Sequence, residues 1–311
     1  RSKLGLEEIQ NETGAHDVCP CCGGKQGFVI TEVDRVGFSC DTVVCCDCDL
    51  VFNNSFLLKP IDYYKSIFGK QRWQDPELNF QKRTAPLAYS WMRFAYVVSA
   101  LKLEFCNVQS VMEIGCGDGC NLYPYHLLGR NVQGFDYADE FLEVGRKRGM
   151  NLVLEEFSSC NKQYDMIILI HVFEHMHDLE DVVRHVYRLL KDEGRVYIEV
   201  PGIRNMNRTG NMAKKETGFS SSNNFISYLQ YQHNYHFDLT HLAEFWQRNG
   251  FELVQGDEWV RAIFKKGTYK ENISYNNDIL SHLKAVEKDF LSPKNLVRKT
   301  TKRIMRKMKV L

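Results

Sequence analysis

No run in the 311 residues approaches the ~18 consecutive apolar positions of a membrane-spanning helix, so no segment reads as transmembrane. The opening stretch RSKLGLEEIQNETGAHD is polar and lacks the apolar core of a secretion signal. A large charge of one sign is missing as well: the formal net charge is +1. That excludes the overall basic footprint of a nucleic-acid binder and makes nucleic acid an unexpected partner. No internal repeat is visible, which excludes solenoids and propellers. Disulfides are not required either, because a chain of this length with 44% hydrophobic residues can bury a sizeable core.

What is present is unevenly spread. Seven of the eleven cysteines fall between Cys19 and Cys48. Clustering of this kind without a secretion signal points to a metal rather than to disulfides, with a reducing cytoplasm as the expected setting. Charge is uneven too. Residues 294–311 hold eight Lys or Arg and no acid, which leaves −7 for residues 1–293. Leu296, Val297, Ile304, Met305, Met308 and Leu311 lie among those cations. Such a helical tail fits a solvated helix, an anionic membrane surface at the inner face, or a partner protein.

CPCCG (19–23) and CCDCDLVF (45–52) each carry a C-x-x-C knuckle, Cys19 with Cys22 and Cys45 with Cys48. Two knuckles bring four thiolates to a tetrahedral zinc with a hairpin between them. A closed site of four thiolates has no open position, so its expected role is folding rather than chemistry. Gly23 suits the turn after the first knuckle; Asp49 holds the matching place after the second. Segment 19–52 has two basic residues, Lys25 and Arg35, against five acids, a poor phosphate binder. It reads as a scaffold on the substrate side.

Beyond residue 85 the rhythm changes. Leu87, Trp91, Phe94, Ala95, Val98 and Leu101 recur at helical steps between Pro86 and Phe105. SVMEIG, NVQGFD, NLVLEE, YDMIILI and RVYIEVPG read as strands. NLYPYHLLG, ADEFLEVGRKRG and DLEDVVRHVYRLLKDEG read as the helices between them, the last ending at Gly194. DLTHLAEFWQRNG adds a helix with Asp238 or Thr240 at its start, and FELVQGDEWVRAIFKK two further strands. Alternation of this kind predicts an α/β fold, a Rossmann-like sheet with helices on both faces.

EIGCGDGCNL (113–122) places Gly115, Gly117 and Gly119 between a strand and a helix, where backbone approaches a ligand closely. Asp136 ends the next strand 21 residues after Gly115, the offset of a ribose-binding acid. A nucleoside ligand is therefore expected. The spacing is G-x-G-x-G rather than G-x-G-x-x-G, and Glu113 would repel a pyrophosphate but suits a positive amino group.

VMEIGCGDG, GFDYADEFLEVGRKRG, YDMIILIHVFEHMHD and LLKDEGRVYIEVPG, in this order, resemble the successive motifs of class I S-adenosylmethionine-dependent methyltransferases over about residues 109–202. The resemblance implies that Gly115, Cys116, Gly117 and Gly119 form the cofactor loop. Glu113 would stand near the methionine amino group, and Asp136, followed by Tyr137, would bind the ribose. Glu156 and Phe157 would flank the adenine, and Ile170 and His171 would lie beside the methionine portion. The ribbon CPxCG…CxxCxLVF in front of such a domain resembles bacterial methyltransferases of sugar nucleotides and surface polysaccharides. It implies a saccharide or other small polar acceptor. The related sugar C-methyltransferases carry a further C-terminal domain for which this sequence has no room, which favours O-methylation in this reading.

Transfer to a hydroxyl calls for a base with a pKa near neutrality, hence histidine. Two groups compete: His171, Glu174, His175 and His177 in HVFEHMH, and His233 and His236 in YQHNYHF. In the sugar methyltransferases an EHxxYF-like histidine is the base; QHNYHF aligns His233 with it. Three alternatives stay open. HVFEH resembles the E-x-x-E-H metal set of RNA ribose 2′-O-methyltransferases, with His236 or His233 as distant ligand. C-methylation of a sugar is the second, and a non-catalytic scaffold the third. The organisation expected is a zinc-ribbon module (1–52), a connector and helical cap (53–105), a methyltransferase domain (106–268, with 203–237 as substrate lid) and a basic tail (269–311). Tyr63, Tyr64, Phe68 and Trp73 of the connector are equally suited to stack on a sugar or base and to pack internally.

Overall fold

The computed structural model describes residues 13–57 except 36 and 38, 75–205, 225–268 and 278–293. The cysteine segment forms β1 (Gly27–Val33), β2 (Ser39–Cys45) and β3 (Val51–Asn53). Two helices follow, α1 (Pro76–Thr84) and α2 (Tyr89–Leu101). Pro76 opens α1, and the Asp75 carboxylate accepts the Leu78 N–H at 2.9 Å, so both start signals act at one turn.

The alternating stretch then gives β4 (Ser110–Ile114), α3 (Tyr123–Leu127), β5 (Asn131–Phe135), α4 (Asp139–Arg146) and β6 (Asn151–Val153). It continues with β7 (Tyr164–Ile170), α5 (Leu179–Leu189) and β8 (Leu190–Glu199). Last come β9 (Tyr235–His236), α6 (Leu239–Arg248), β10 (Phe251–Asp257), β11 (Arg261–Lys266) and α7 (Ile279–Phe290).

The expected helix end at Gly194 is corrected. Helix α5 stops at Leu189, and Leu190 already pairs with Tyr164 of β7. Leu190 is fully buried, and burying it against the sheet outweighs one more helical turn. The strand bulges before Arg195, and Gly194 lies against the Leu190 side chain, where a Cβ would come within 2.7 Å of Cδ1.

The chain forms two compact units. One draws on 1–14, 56–200 and 239–273, the other on 15–55, 201–238 and 274–311, in each case through their described residues. The cysteine module shares a unit with parts of 203–237 and 269–311. Pairing explains it, because β9 adds to β3 in antiparallel register, Tyr235 opposite Phe52 and His236 opposite Val51.

The first unit holds a seven-stranded sheet of order β10-β11-β8-β7-β4-β5-β6. Strands β4 to β8 run parallel, and β11 is antiparallel to β8 and β10. Helices on both faces require strands apolar on both sides, and Ile167, Ile168 and Leu169 are at most 1% exposed. The order reverses between β4 and β7, the switch point at whose carboxyl ends open α/β sheets bind ligands. In the second unit, β9-β3-β2-β1 form a four-stranded sheet. Val44, Val51, Ile203, Ile279, Leu283 and Val286 make its small core.

Among the described residues no helix is long and apolar enough to cross a membrane. The connector aromatics Tyr63, Tyr64, Phe68 and Trp73, residues 206–224 of the expected lid and the tail from 294 lie outside the described residues.

Candidate active site

Strand β4 delivers the chain to a turn in which Gly115, Gly117 and Gly119 all have positive φ (68°, 54° and 76°). That left-handed conformation is open to glycine and strained for residues with a Cβ. The glycines differ in surroundings. A Cβ on Gly115 would come within 2.3 Å of Val172 Cγ2, and one on Gly119 within 2.9 Å of Met150 Cε. A Cβ on Gly117 would meet no described atom within 4 Å. Gly115 is therefore required by packing against Val172, while Gly119 faces the movable ends of Met150 and Leu152. Gly117 presents bare backbone to open space.

Asp136 follows β5 and anchors this turn. Its Oδ2 accepts the Gly117 N–H at 2.7 Å, while Oδ1 accepts those of Tyr137 (2.7 Å) and Ala138 (3.1 Å). Burial raises its pKa above the usual carboxylate range, opposed by these three hydrogen bonds. Oδ2 keeps a lone pair for one ribose hydroxyl as it stands; a second hydroxyl has to displace an N–H from Oδ1. Cys116 is buried with its thiol raised well above the ordinary value by that burial. It packs on Gly134, where a Cβ would lie 2.5 Å from Sγ.

Glu113 is fully buried at the end of β4, and burial pushes its carboxyl up to about 8. Asn121 Nδ2 donates to Oε1 at 2.7 Å, and Oε2 has no hydrogen-bond partner among the described residues. A buried carboxyl with a free oxygen fits a ligand's ammonium group, which would restore its charge. Together with the Gly117 opening and Asp136, these residues fit the nucleoside amino acid expected from the sequence.

At the carboxyl end of β7, His171 has φ 53°, a strained conformation for a residue with a Cβ. Its N–H donates to the Glu199 carbonyl at 2.8 Å. The ring lies between two carboxylates: Nδ1 is 3.6 Å from Glu174 Oε1 and Nε2 is 3.3 Å from Glu199 Oε1. Burial lowers its pKa, but Glu174 and Glu199 outweigh that and bring it up to about 9. The two carboxylates thus favour the protonated form of His171, a setting that works against a base role. Glu174 Oε1 also lies 3.7 Å from His175 Nε2, so Glu174 sits between the two rings of HVFEH.

Glu199 ends β8 and receives a bidentate fork from Arg93 of α2, Nε to Oε2 at 2.9 Å and Nη2 to Oε1 at 2.7 Å. Burial alone would raise it; Arg93 and His171 hold it well below the usual range. Arg93 Nη1 also donates to Asn121 Oδ1 at 3.2 Å. Arg83 at the end of α1 pairs with Asp118 inside the glycine turn. Sequence reasoning missed Arg83, Arg93, Asn121 and Glu199. A signal existed for two of them: Arg93 is the lone charge in YSWMRFAYVVSAL, and Glu199 closes a buried strand.

The expected adenine flank is less enclosed. Glu156 is exposed, and Phe157 packs edge-on to His185 of α5 at 6.0 Å. Ile170 is buried at the end of β7. Tyr137 is half-buried, its hydroxyl pushed up to about 12 by burial and by Glu156.

In the second unit, Cys19, Cys22, Cys45 and Cys48 bring their sulfurs within 4.8 Å of one another. Cys19–Cys48 is 3.7 Å and Cys22–Cys45 is 3.6 Å. Tetrahedral zinc at ~2.3 Å from each sulfur needs S···S of ~3.8 Å, so the four residues fit that ion. A hydrogen bond from Cys48 holds the Cys19 thiol below its ordinary value, and burial holds that of Cys22 above it. Gly23 and Asp49 have φ 73° and 66°, the same left-handed turn after each knuckle. Asp49 also caps α7, its Oδ2 accepting the Ile279 N–H at 2.9 Å.

His233 and His236 are both buried with ring centroids 5.9 Å apart. The turn carrying His233 is gripped by Asn53 of β3. Asn53 Nδ2 lies 2.9 Å from the Gln230 carbonyl and 2.8 Å from that of His233, while Thr42 donates to Asn53 Oδ1 at 2.9 Å.

A family model described as a methyltransferase domain matches residues 86–256. The ubiquinone biosynthesis O-methyltransferase of Bordetella avium (strain 197N) is 28% identical over 138 residues, 40% of this chain and 54% of that protein. That of Pelagibacter ubique (strain HTCC1062) is 25% identical over 162 residues, 47% of this chain and 65% of that protein. The chain spans about half the length of the first of these curated relatives. Among solved structures, the plantazolicin methyltransferase BpumL in complex with SAH superposes with a TM-score of 0.47. The sequences are 15% identical, over 71% of this chain and 87% of that one.

Proposed function

The chain belongs to the methyltransferase-domain family, and on that premise we propose that it transfers a methyl group from S-adenosylmethionine to a hydroxyl of a small polar acceptor. The observation that carries this reading is Gly117: left-handed, hydrogen-bonded through its N–H to Asp136, and open on the side where a Cβ would stand. When bound, the sulfonium supplies an activated methyl group. The chain's own residues do the rest. The turn 115–119 cradles the donor's backbone-facing side, Asp136 accepts from the ribose, and Glu113 with Asn121 receives the amino group. Tyr137, Glu156 and Phe157 border the adenine side, and Ile170 and His171 border the methionine side. His233, with His236 beside it, takes the hydroxyl proton. His171 remains a cation in this scheme rather than a base.

Zinc on Cys19, Cys22, Cys45 and Cys48 is the structural part of the proposal, supported by the sulfur spacing. A saccharide acceptor is its finer part, supported by the ribbon in front of the methyltransferase motifs, and a cytoplasmic setting goes with it. The metal-assisted alternative draws support from Glu174, whose Oε1 lies within 3.7 Å of two imidazoles. The test is turnover of labelled S-adenosylmethionine against nucleotide sugars, polysaccharide precursors and RNA, with and without EDTA. Methylation of the sugars unaffected by brief EDTA supports the first reading. Methylation of RNA restored by Mg²⁺ supports the second. No transfer to any hydroxyl overturns both.

A further inference from the structure

Six polar groups form one continuous chain across the carboxyl ends of the sheet. Glu113 Oε1 accepts from Asn121 at 2.7 Å, and Asn121 Oδ1 accepts from Arg93 at 3.2 Å. Arg93 forks onto Glu199 at 2.7 and 2.9 Å, Glu199 faces His171 at 3.3 Å, and His171 faces Glu174 at 3.6 Å. Tyr197 donates its hydroxyl to Glu199 Oε2 at 2.8 Å and fixes that carboxylate from the third side. The Arg93 and Glu199 side chains are only 15% and 13% exposed. Apart from the His171 ring, which is 44% exposed, the network therefore lies largely out of water, where a broken member leaves its partners unsatisfied.

Arg93 is the member that joins the two halves of this chain, bonding Asn121 on one side and Glu199 on the other. It sits on α2, outside the strand-and-turn motifs, yet it uses Nε, Nη1 and Nη2 in three different hydrogen bonds. Lysine has no planar fork and cannot reproduce that set. We infer that Arg93 is a positioning residue of the donor site: through Glu199 it sets the His171 ring, and through Asn121 it sets the Glu113 carboxyl. The inference rests on the reading that the donor binds at the glycine turn. It assigns α2 a role in binding in addition to covering the sheet with Val97 and Leu101.

The experiment is calorimetric titration of S-adenosylhomocysteine into the full chain, wild type and the variants R93K, R93Q, H171Q and R93Q/H171Q, each with a melting curve. Loss of a charged hydrogen-bond set predicts a Kd on the order of tenfold weaker in R93Q, with R93K between it and wild type. Because one of the two routes from Arg93 runs through His171, the double variant should bind less weakly than the product of the two single losses. Multiplying losses, or wild-type affinity in a folded R93Q, overturns the inference. Should R93Q not fold, R93K decides alone, since it keeps the charge and loses the fork: unchanged affinity there overturns the role. Failure of the wild type itself to bind overturns the donor-site reading instead.

Discussion

Gly117→Ala separates a ligand cradle from a packing requirement within one turn. The substitution places a Cβ at φ 54°, where no described atom lies within 4 Å. The fold then bears only the left-handed strain, ~1–2 kcal/mol. For a domain of this size that lowers Tm by about 2–4 °C per kcal/mol. A donor lying along the turn meets the new methyl directly, and overpacking of that kind costs about 1–3 kcal/mol, or about 5- to 150-fold in Kd. Gly115→Ala behaves in the opposite way. Its Cβ would come within 2.3 Å of Val172 Cγ2 as well as taking up φ 68°, so stability suffers before binding does. The assay is a melting curve and a titration with S-adenosylhomocysteine for each variant. A folded Gly117→Ala protein that binds within twofold of wild type refutes the reasoning.

Three further outcomes follow from the geometry. The His171 pKa is raised to about 9 in the fold against ~6.5 in the unfolded chain; its contribution to stability is complete below pH 6.5 and lost as pH rises through 9. The ring is 44% exposed, so solvent screens the effect; melting curves from pH 6 to 10 should decline more steeply in wild type than in His171→Gln, and parallel curves contradict the assignment. Purified protein should carry one zinc per chain by elemental analysis, and Cys45→Ser should lose it together with hydrogen-exchange protection at Ile279, whose N–H is capped by Asp49; retained protection contradicts the link from knuckle to α7. Asn53→Asp turns a donor into a charge facing the Gln230 and His233 carbonyls, at a cost of about 2–4 kcal/mol; a Tm equal to wild type contradicts the role of Asn53.

The legible part of this protein was local or periodic. The glycine turn and Asp136 stand 21 residues apart, within one strand–helix–strand unit, and the two knuckles announce themselves by spacing. The strands around YDMIILI follow from apolar runs between glycines. What the sequence hid was pairing at a distance. Arg93 meets Glu199 across 106 residues and Asn53 meets His233 across 180, and no periodicity encodes such partners. His171 stood among the candidate bases because histidine titrates near neutrality; the two carboxylates beside its ring, which favour its protonated form, are not encoded locally. Asp49 stood out in the sequence only as the residue after the second knuckle. Its side chain turns out to cap a helix 230 residues away. The α5 end was misplaced because KDEG is a plausible helix terminus, whereas Leu190 is claimed by the sheet.

Whether the glycine turn holds the methyl donor is settled most directly by titrating S-adenosylmethionine and S-adenosylhomocysteine into the wild-type chain and into Asp136→Ala. Saturable one-to-one binding of both by the wild type, abolished or strongly weakened in a folded Asp136→Ala protein, is the predicted result. No binding of either ligand by the wild type, or equal binding by the variant, contradicts it.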